Sequence, residues 1–277
     1  MNDIQQAEFE ILKYFDELTD QYNVKYFLFA GTLLGAVRHE GFIPWDDDID
    51  VGMLRSEFIK FQEEMFKDEN IKENIFLQSR KVHSYLATEI AKIRNSSIKI
   101  KERVPNTQKG NIGPWVDVFP FDNVPDDDKE RKKQFQIVEF CNAWIKRFLL
   151  IQVEPEDKGI KKILKFIINK LNRIFYRVNP FLLILFKVRY HWITKYNNQK
   201  TEFVGNLGHM YHGNYENYLK TVFLKDDVDD LKPLHFEGAQ FPAPANYDRV
   251  LTTHYGNYMQ IPPESERKVH KIEYIKF

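Results

Sequence analysis

One cysteine, Cys141, in 277 residues excludes an intramolecular disulfide and a zinc cluster built on cysteine. So low a count fits a reducing compartment. Net charge is also missing: 40 Lys and Arg stand against 40 Asp and Glu, so no global field recruits nucleic acid, and none is expected as a partner. Long hydrophobic runs are absent. The longest strictly apolar stretch, Phe181 to Phe186, falls far short of the ~20 residues that a membrane-spanning helix needs. The opening residues, Met1-Asn2-Asp3-Ile4-Gln5-Gln6, are polar and acidic, without the basic start and apolar core of a secretion signal. No internal repeat or low-complexity tract is present. These absences lead to the expectation of a cytoplasmic protein, soluble or peripheral.

What is present suits a folded protein. Apolar residues make up 43% of the chain, with 23 Phe and 14 Tyr, ample for a buried core. The zero net charge hides an asymmetry. Between Lys158 and Thr201 there are eleven basic residues and no Asp or Glu, so the rest of the chain carries the opposite excess.

Periodicity predicts an amphipathic helix over residues 3–22 and a buried strand at 25–30, punctuated by Gly31-Thr32 and followed by a turn of helix at 33–37. Ile49, Val51 and Met53 alternate with Asp50 and Gly52, the period of a strand with one polar face. A helix is expected at 57–67, strands at 75–78, 86–94, 98–101 and 115–119, and a loop at 106–113. From Asp126 to about Asn198 the chain reads as helical with a break at Pro180, and short apolar runs such as 239–244 return after Phe203. The expected fold is α+β, a mixed sheet flanked by helices. It divides into a core at 1–125, a helical basic insertion at 126–202, and a segment at 203–277 that completes the core.

The chemistry concentrates in Asp46-Asp47-Asp48-Ile49-Asp50. On a strand, Asp48 and Asp50 point to the same face, with Asp46 in step if the strand begins that early. Carboxylates so close repel unless a cation or proton intervenes, and hard oxygen ligands suit Mg²⁺ or Mn²⁺. A solvated acidic turn would also account for the run, but it leads directly into apolar core residues. Gly31-Thr32, at a helix start after a strand, offers backbone N–H groups to a phosphate. Asp117 stands alone in apolar Trp115-Val116-Asp117-Val118-Phe119, where an unpaired carboxylate is costly; a strand-end cap is the alternative. Arg38 could clamp a donor phosphate. Lys92 and Arg94 alternate on one strand face and could neutralise a diphosphate, although an exposed edge strand would explain them too. His83, His191, His209, His212 and His235 show no metal-ligand spacing and read as structural.

Gly31-Thr32-Leu33-Leu34-Gly35-Ala36-Val37-Arg38-His39 followed by Gly41-Phe42-Ile43-Pro44-Trp45-Asp46-Asp47-Asp48-Ile49-Asp50 resembles the signature of the LicD family, which is related to the fukutin group and lies within the nucleotidyltransferase fold superfamily. Val116-Asp117-Val118-Phe119-Pro120, Tyr247-Asp248 and His254-Tyr255-Gly256-Asn257-Tyr258 with Pro262-Pro263 are similar to further motifs of that family. The family usually carries aspartate where Asn257 stands, so no catalytic role falls to that position. The resemblance covers roughly residues 25–120 and 203–270, and the basic segment is its least family-like part. It implies metal-dependent transfer of phosphocholine, or a related phospho-alcohol, from a CDP-linked donor (CDP-choline favoured) to a sugar hydroxyl of a lipid-linked cell-envelope glycan, with release of CMP. Catalysis and metal binding would fall to Asp48, Asp50 and Asp117, with Asp46 a further candidate. Substrate binding would fall to Gly31, Thr32, Arg38, Lys92, Arg94 and Tyr255. Three rivals share the aspartates or the fold: a nucleotidyltransferase using a nucleoside triphosphate, a D-x-D glycosyltransferase, and an inactive glycan-binding scaffold.

In the basic segment, Leu164, Ile167, Leu171, Ile174 and Val178 share one helical face while lysines and arginines populate the rest. This pattern is expected to rest on an anionic membrane surface, at the inner face of the cell membrane. A helix packed on the core with a solvated basic face is the alternative.

Overall fold

A computed structural model describes residues 1–83, 86–102, 113–149, 158–175, 179–210, 212–267 and 272–276. The expected loop at 106–112 and, in the basic stretch, Arg177 and Val178 lie outside the described residues. The architecture is the expected mixed α+β fold.

Helix α1 (Asp3–Tyr22) begins with a capping box. Asn2 Oδ1 accepts the amides of Ile4 and Gln5, while the Gln5 side chain accepts the Asn2 N–H. Strand β1 is only Phe27–Leu28, shorter than predicted, because α2 (Ala30–His39) already starts at Ala30. Ala30 adopts a left-handed φ of 45°, uncommon for a residue with a Cβ, and that kink turns the chain from strand into helix. β2 (Ile49–Leu54) and α3 (Arg55–Lys67) follow, then β3 (Ile75–Gln78) and β4 (Ala91–Asn95). The strand expected from Leu86 forms only from Ala91. The Thr88 hydroxyl and the Glu89 amide both donate to the Gly208 carbonyl, and Glu89 pairs with Arg80 and Arg189, so this stretch is tied to the C-terminal half instead of a ladder.

β5 (Lys99–Glu102) pairs with the distant β11 (Ile272–Lys276). β6 (Trp115–Val124) runs five residues past its predicted end. It pairs with β4 as far as Val118 and with β7 (Phe203–Gly205) from Asp122 onward. Pro120 falls between those two ladders, where a missing N–H is tolerated. The main sheet runs β1-β2-β6-β4-β3, with β7 and then β8 (Val222–Leu224) continuing from the far end of β6; β2 and β6 are parallel and the other pairs antiparallel.

The helical stretch resolves into α4 (Asp128–Leu149), α5 (Gly159–Phe175) and α6 (Pro180–Thr194), with Pro180 as the first residue of α6 and Asn179 capping it. After the short α7 (Tyr215–Leu219) and α8 (Lys225–Asp229), strands β9 (Leu231–Phe236) and β10 (Ala239–Pro244) form a hairpin, and α9 (Tyr247–Tyr255) precedes the final strand β11. The hairpin turns through Glu237 and Gly238, both at positive φ, as a two-residue loop of this hand requires.

One apolar core joins Phe15, Leu28, Ile49, Phe61 and Val118 to Phe223, Phe236, Phe241 and Leu251, so both ends of the chain share it. The hairpin also clamps the segment that leads to the aspartates. Glu237 donates its amide to the Glu40 carbonyl, and its carboxylate accepts the Phe42 amide at 2.9 Å.

Candidate active site

Asp48, Asp50 and Asp117 each bring a carboxylate oxygen within 4.8 Å of the others. Sheet register does this. In the parallel β2–β6 pair Asp50 lies opposite Asp117, and in the antiparallel β4–β6 pair Lys92 lies opposite Asp117. Three polar residues therefore form one row across three strands, between the apolar pairs on either side of it.

The Asp117 carboxylate is held from two sides: Lys92 Nζ is 2.8 Å from Oδ1 and 2.9 Å from Oδ2, and Trp115 Nε1 donates to Oδ2 at 2.9 Å. The ammonium of Lys92 also lies 4.2 Å from the Trp115 ring centre, a cation–π contact. Among the described residues, Lys92 is the cation paired with Asp117, beside Asp48 and Asp50. Burial first, then the charges of Asp48, Asp117 and Asp46, push the Asp50 carboxyl well above the usual carboxylate range, and Lys92 only opposes the shift.

The other predicted residues take different stations. The Asp50 amide donates to Thr32 Oγ1 at 2.8 Å; Thr32 is buried, so it sets the position of Asp50. A Cβ on Gly31 would come within 2.4 Å of Asp46 Oδ2 and displace that carboxylate, which lies against the first turn of α2. The Asp46 carboxylate thus lies beside the start of α2, a place that favours negative charge. Gln5 Nε2 fixes the Asp46 carbonyl at 2.8 Å. Arg38 Nη1 donates to the Tyr258 carbonyl at 2.8 Å, tying the glycine-rich motif to the C-terminal segment at the rim. Tyr255 is 42% exposed with its hydroxyl end toward the acids; loss of solvation there, then Asp50, Asp46 and Asp48, raise its pKa, and Arg38 opposes.

Arg94 is the clearest departure. Alternation put it beside Lys92, but it is fully buried, with Nε on Gln78 Oε1 at 2.7 Å, Nη1 on the Gly113 carbonyl at 2.8 Å, and the Trp115 ring 4.8 Å away. Its contacts brace the sheet and leave it no face toward a diphosphate.

The sequence reading missed Glu8. It is completely buried on α1 among the acids; burial, then Asp48 and Asp47, raise its carboxyl well above the usual range, against the main chain of Trp115. One signal was available: Glu8 stands four residues before Leu12 and three before Ile11, inside the apolar stripe of α1. His209 and His254 also flank the site, through Phe119 and Phe29 respectively, and burial lowers each to about 4, which makes them neutral imidazoles.

The residues fit a divalent cation. The donor set is all carboxylate oxygen, and burial together with the neighbouring acids holds the Asp50 carboxyl well above the usual range, a penalty that a bound cation would relieve.

Fold and site together define a mixed α+β protein with an acidic centre able to hold a cation beside a helix terminus. Residues 23–155 match the LicD/FKTN/FKRP nucleotidyltransferase domain. The chain is 32% identical over 268 residues, 95% of its own length and 92% of the relative's, to the lipopolysaccharide cholinephosphotransferase LicD of Haemophilus influenzae. Uncharacterized proteins of Rickettsia typhi and Rickettsia prowazekii are 47% and 46% identical over 55 residues, 20% of this chain and 18% and 21% of theirs. The chain belongs to the LicD family.

Proposed function

We propose that this protein transfers phosphocholine from a CDP-linked donor, CDP-choline by preference, to a sugar hydroxyl of a lipid-linked cell-envelope glycan, releasing CMP. The observation that carries the reading is the row of Asp50, Asp117 and Lys92 across β2, β6 and β4, in a chain similar along nearly its whole length to a cholinephosphotransferase. The shared apolar core supports treating residues 1–125 and 203–277 as one catalytic unit with 126–202 inserted. A lipid-carried acceptor would be met at an anionic membrane surface on the inner face of the cell membrane.

Asp48, Asp50 and Asp117 would hold Mg²⁺ or Mn²⁺, with Asp46 adjacent. When bound, the ion supplies positive charge against the donor diphosphate and the departing CMP. Thr32 keeps Asp50 in register with Asp117, and Lys92 with Trp115 fixes the Asp117 carboxylate. Arg38 and Tyr255 stand at the rim, where a donor enters. In the transfer, the acceptor oxygen bonds to the phosphorus of phosphocholine, the bridging P–O bond to CMP breaks, and the hydroxyl proton leaves the acceptor.

Mass spectrometry of reactions with CDP-choline, CDP-ribitol and CDP-glycerol against cell-envelope glycan precursors tests this. CMP and a phosphocholine-bearing glycan are expected. Pyrophosphate from a nucleoside triphosphate, or a nucleoside diphosphate from a nucleotide sugar, would replace the reading with one of its rivals. No turnover of any donor would favour the scaffold.

Asp117 has two possible duties, sharing the metal or accepting the acceptor's proton, and Asp117→Asn separates them. Activity falls by about two orders of magnitude or more in either case. Weakened Mg²⁺ affinity in a calorimetric titration marks a ligand. Unchanged affinity with a flattened pH–rate profile marks a base, and unchanged activity excludes both.

A further inference from the structure

α6 is apolar on nearly every side, the pattern of a helix enclosed all round by protein or lipid. Among the described residues, the fold covers one of its faces. Leu182, Leu185 and Phe186 are buried against Cys141, Ile145 and Leu149 of α4. An adjoining face, Phe181, Ile184 and Val188, is exposed. α5, which also packs on α4, exposes Ile163, Leu164 and Ile167, at 59%, 52% and 45%. Trp144 and Phe148 of α4 pack their rings against Phe181 at 5.9 and 5.8 Å, so aromatic groups border the patch. An apolar surface of this extent on a folded protein marks a contact with another phase or partner.

Charge decides what covers it. The stretch from Lys158 to Thr201 has eleven basic residues and no acid, and Lys158, Lys162 and Lys187 are exposed around the apolar face. A second copy of the chain would bring like charges together with no carboxylate of the same stretch to meet them. An anionic bilayer answers both features: headgroups meet the lysines, and the acyl boundary takes the aliphatic side chains. Among the described residues no helix is long and apolar enough to cross a membrane.

We propose that α5 and the outer edge of α6 form a monotopic docking surface for an anionic lipid bilayer, with Ile163, Leu164, Ile167, Phe181, Ile184 and Val188 entering the interface. The inference rests on the proposed function only in that a lipid-linked acceptor requires the enzyme at a membrane. Insertion of side chains goes beyond attraction by the basic charges.

Flotation of the full chain with vesicles of phosphatidylcholine and phosphatidylglycerol tests it, alongside the double variant Ile163→Glu with Ile184→Glu. Both positions are exposed, so the substitutions leave the fold intact, which circular dichroism checks. Wild type should float, and should retain part of its binding at high salt, where exposed charges are screened. The double variant should lose about tenfold or more in vesicle partitioning. Release of CMP from soluble CDP-choline should be the same in both proteins. Wild type that stays unbound with anionic vesicles at low salt overturns the proposal. So does a double variant that floats as well as wild type, since charge alone would then suffice. A wild-type dimer by light scattering that the double variant converts to monomer, with neither protein floating, would assign the face to a second copy instead. CMP release reports the catalytic reading separately: its absence from a protein that floats fails that reading and leaves the docking surface standing.

Discussion

Asp48→Asn and Asp50→Asn should each lower phosphocholine transfer on the order of 10³-fold, while the metal-free Asp50→Asn protein melts higher than metal-free wild type. Both effects come from one cause. Asp50 lies on β2 and Asp48 just before it, both reach a centre shared with Asp117, and each substitution removes a charge without removing volume. In the metal-free protein that charge is a liability, because the Asp50 carboxyl is pushed upward by burial and by its acidic neighbours. The folded-state pKa is thus above the unfolded value of about 4. The stabilisation associated with the protonated group is fully present below that value. It is lost as pH rises toward the folded-state pKa, because the unfolded chain releases its proton first. At neutral pH the wild-type apoprotein therefore carries a penalty that asparagine lacks, worth a few degrees of melting temperature. Added Mg²⁺ should raise the wild-type melting temperature in a concentration-dependent way and affect Asp50→Asn far less. Near-normal turnover at either position would sink the metal assignment, and a lower apo melting temperature for Asp50→Asn would remove the repulsion argument.

Arg55→Met should cost about 3–5 kcal/mol of folding stability, a large part of what a domain possesses. Arg55 begins α3 directly after β2, and its Nε and Nη2 reach the two oxygens of Asp122 at 2.8 and 2.6 Å. Arg55 is 7% exposed and Asp122 0%, so the carboxylate left behind has no water to turn to. Asn197 Nδ2 also donates to Asp122 at 2.7 Å, which softens the loss without replacing a cation. The double substitution Arg55→Met with Asp122→Leu should recover much of the loss, since an apolar pair of similar volume avoids both desolvation penalties. Urea unfolding of the single and double variants measures this. A single variant within about 1 kcal/mol of wild type would show that the pair adds little. The pair sits at the opposite ends of β2 and β6 from the aspartates, so activity per folded molecule should be retained in Arg55→Met.

Much of this protein is set by its sequence. The capping box and apolar stripe specify α1, alternation specifies β2 with Asp50 between buried Ile49 and Val51, and Ile75–Gln78 forms as read. These features are local, carried by residues within a turn or two of one another, and local patterning is enough to write them. The glycine-rich and acidic motifs, with Asp117 of β6, are likewise legible, because their chemistry lies in residue type and spacing. What the sequence left open depends on partners far along the chain. Lys92 and Arg94 look alike on an alternating strand. Only the register of β4 on β6 sets Lys92 against Asp117 and closes Trp115, Gln78 and Gly113 around Arg94. Thr32 reads as a phosphate ligand until β2 lies beside α2 and lends it the Asp50 amide. Glu8 reads as one more surface acid of α1 until that helix packs over the carboxylates. β6 outruns its expected end because β7, some eighty residues later, offers a ladder, while 86–90 loses its strand to bonds with Gly208. In each case the deciding term is a hydrogen bond, a charge or a desolvation that exists only once distant segments meet, and no window of neighbouring residues contains it.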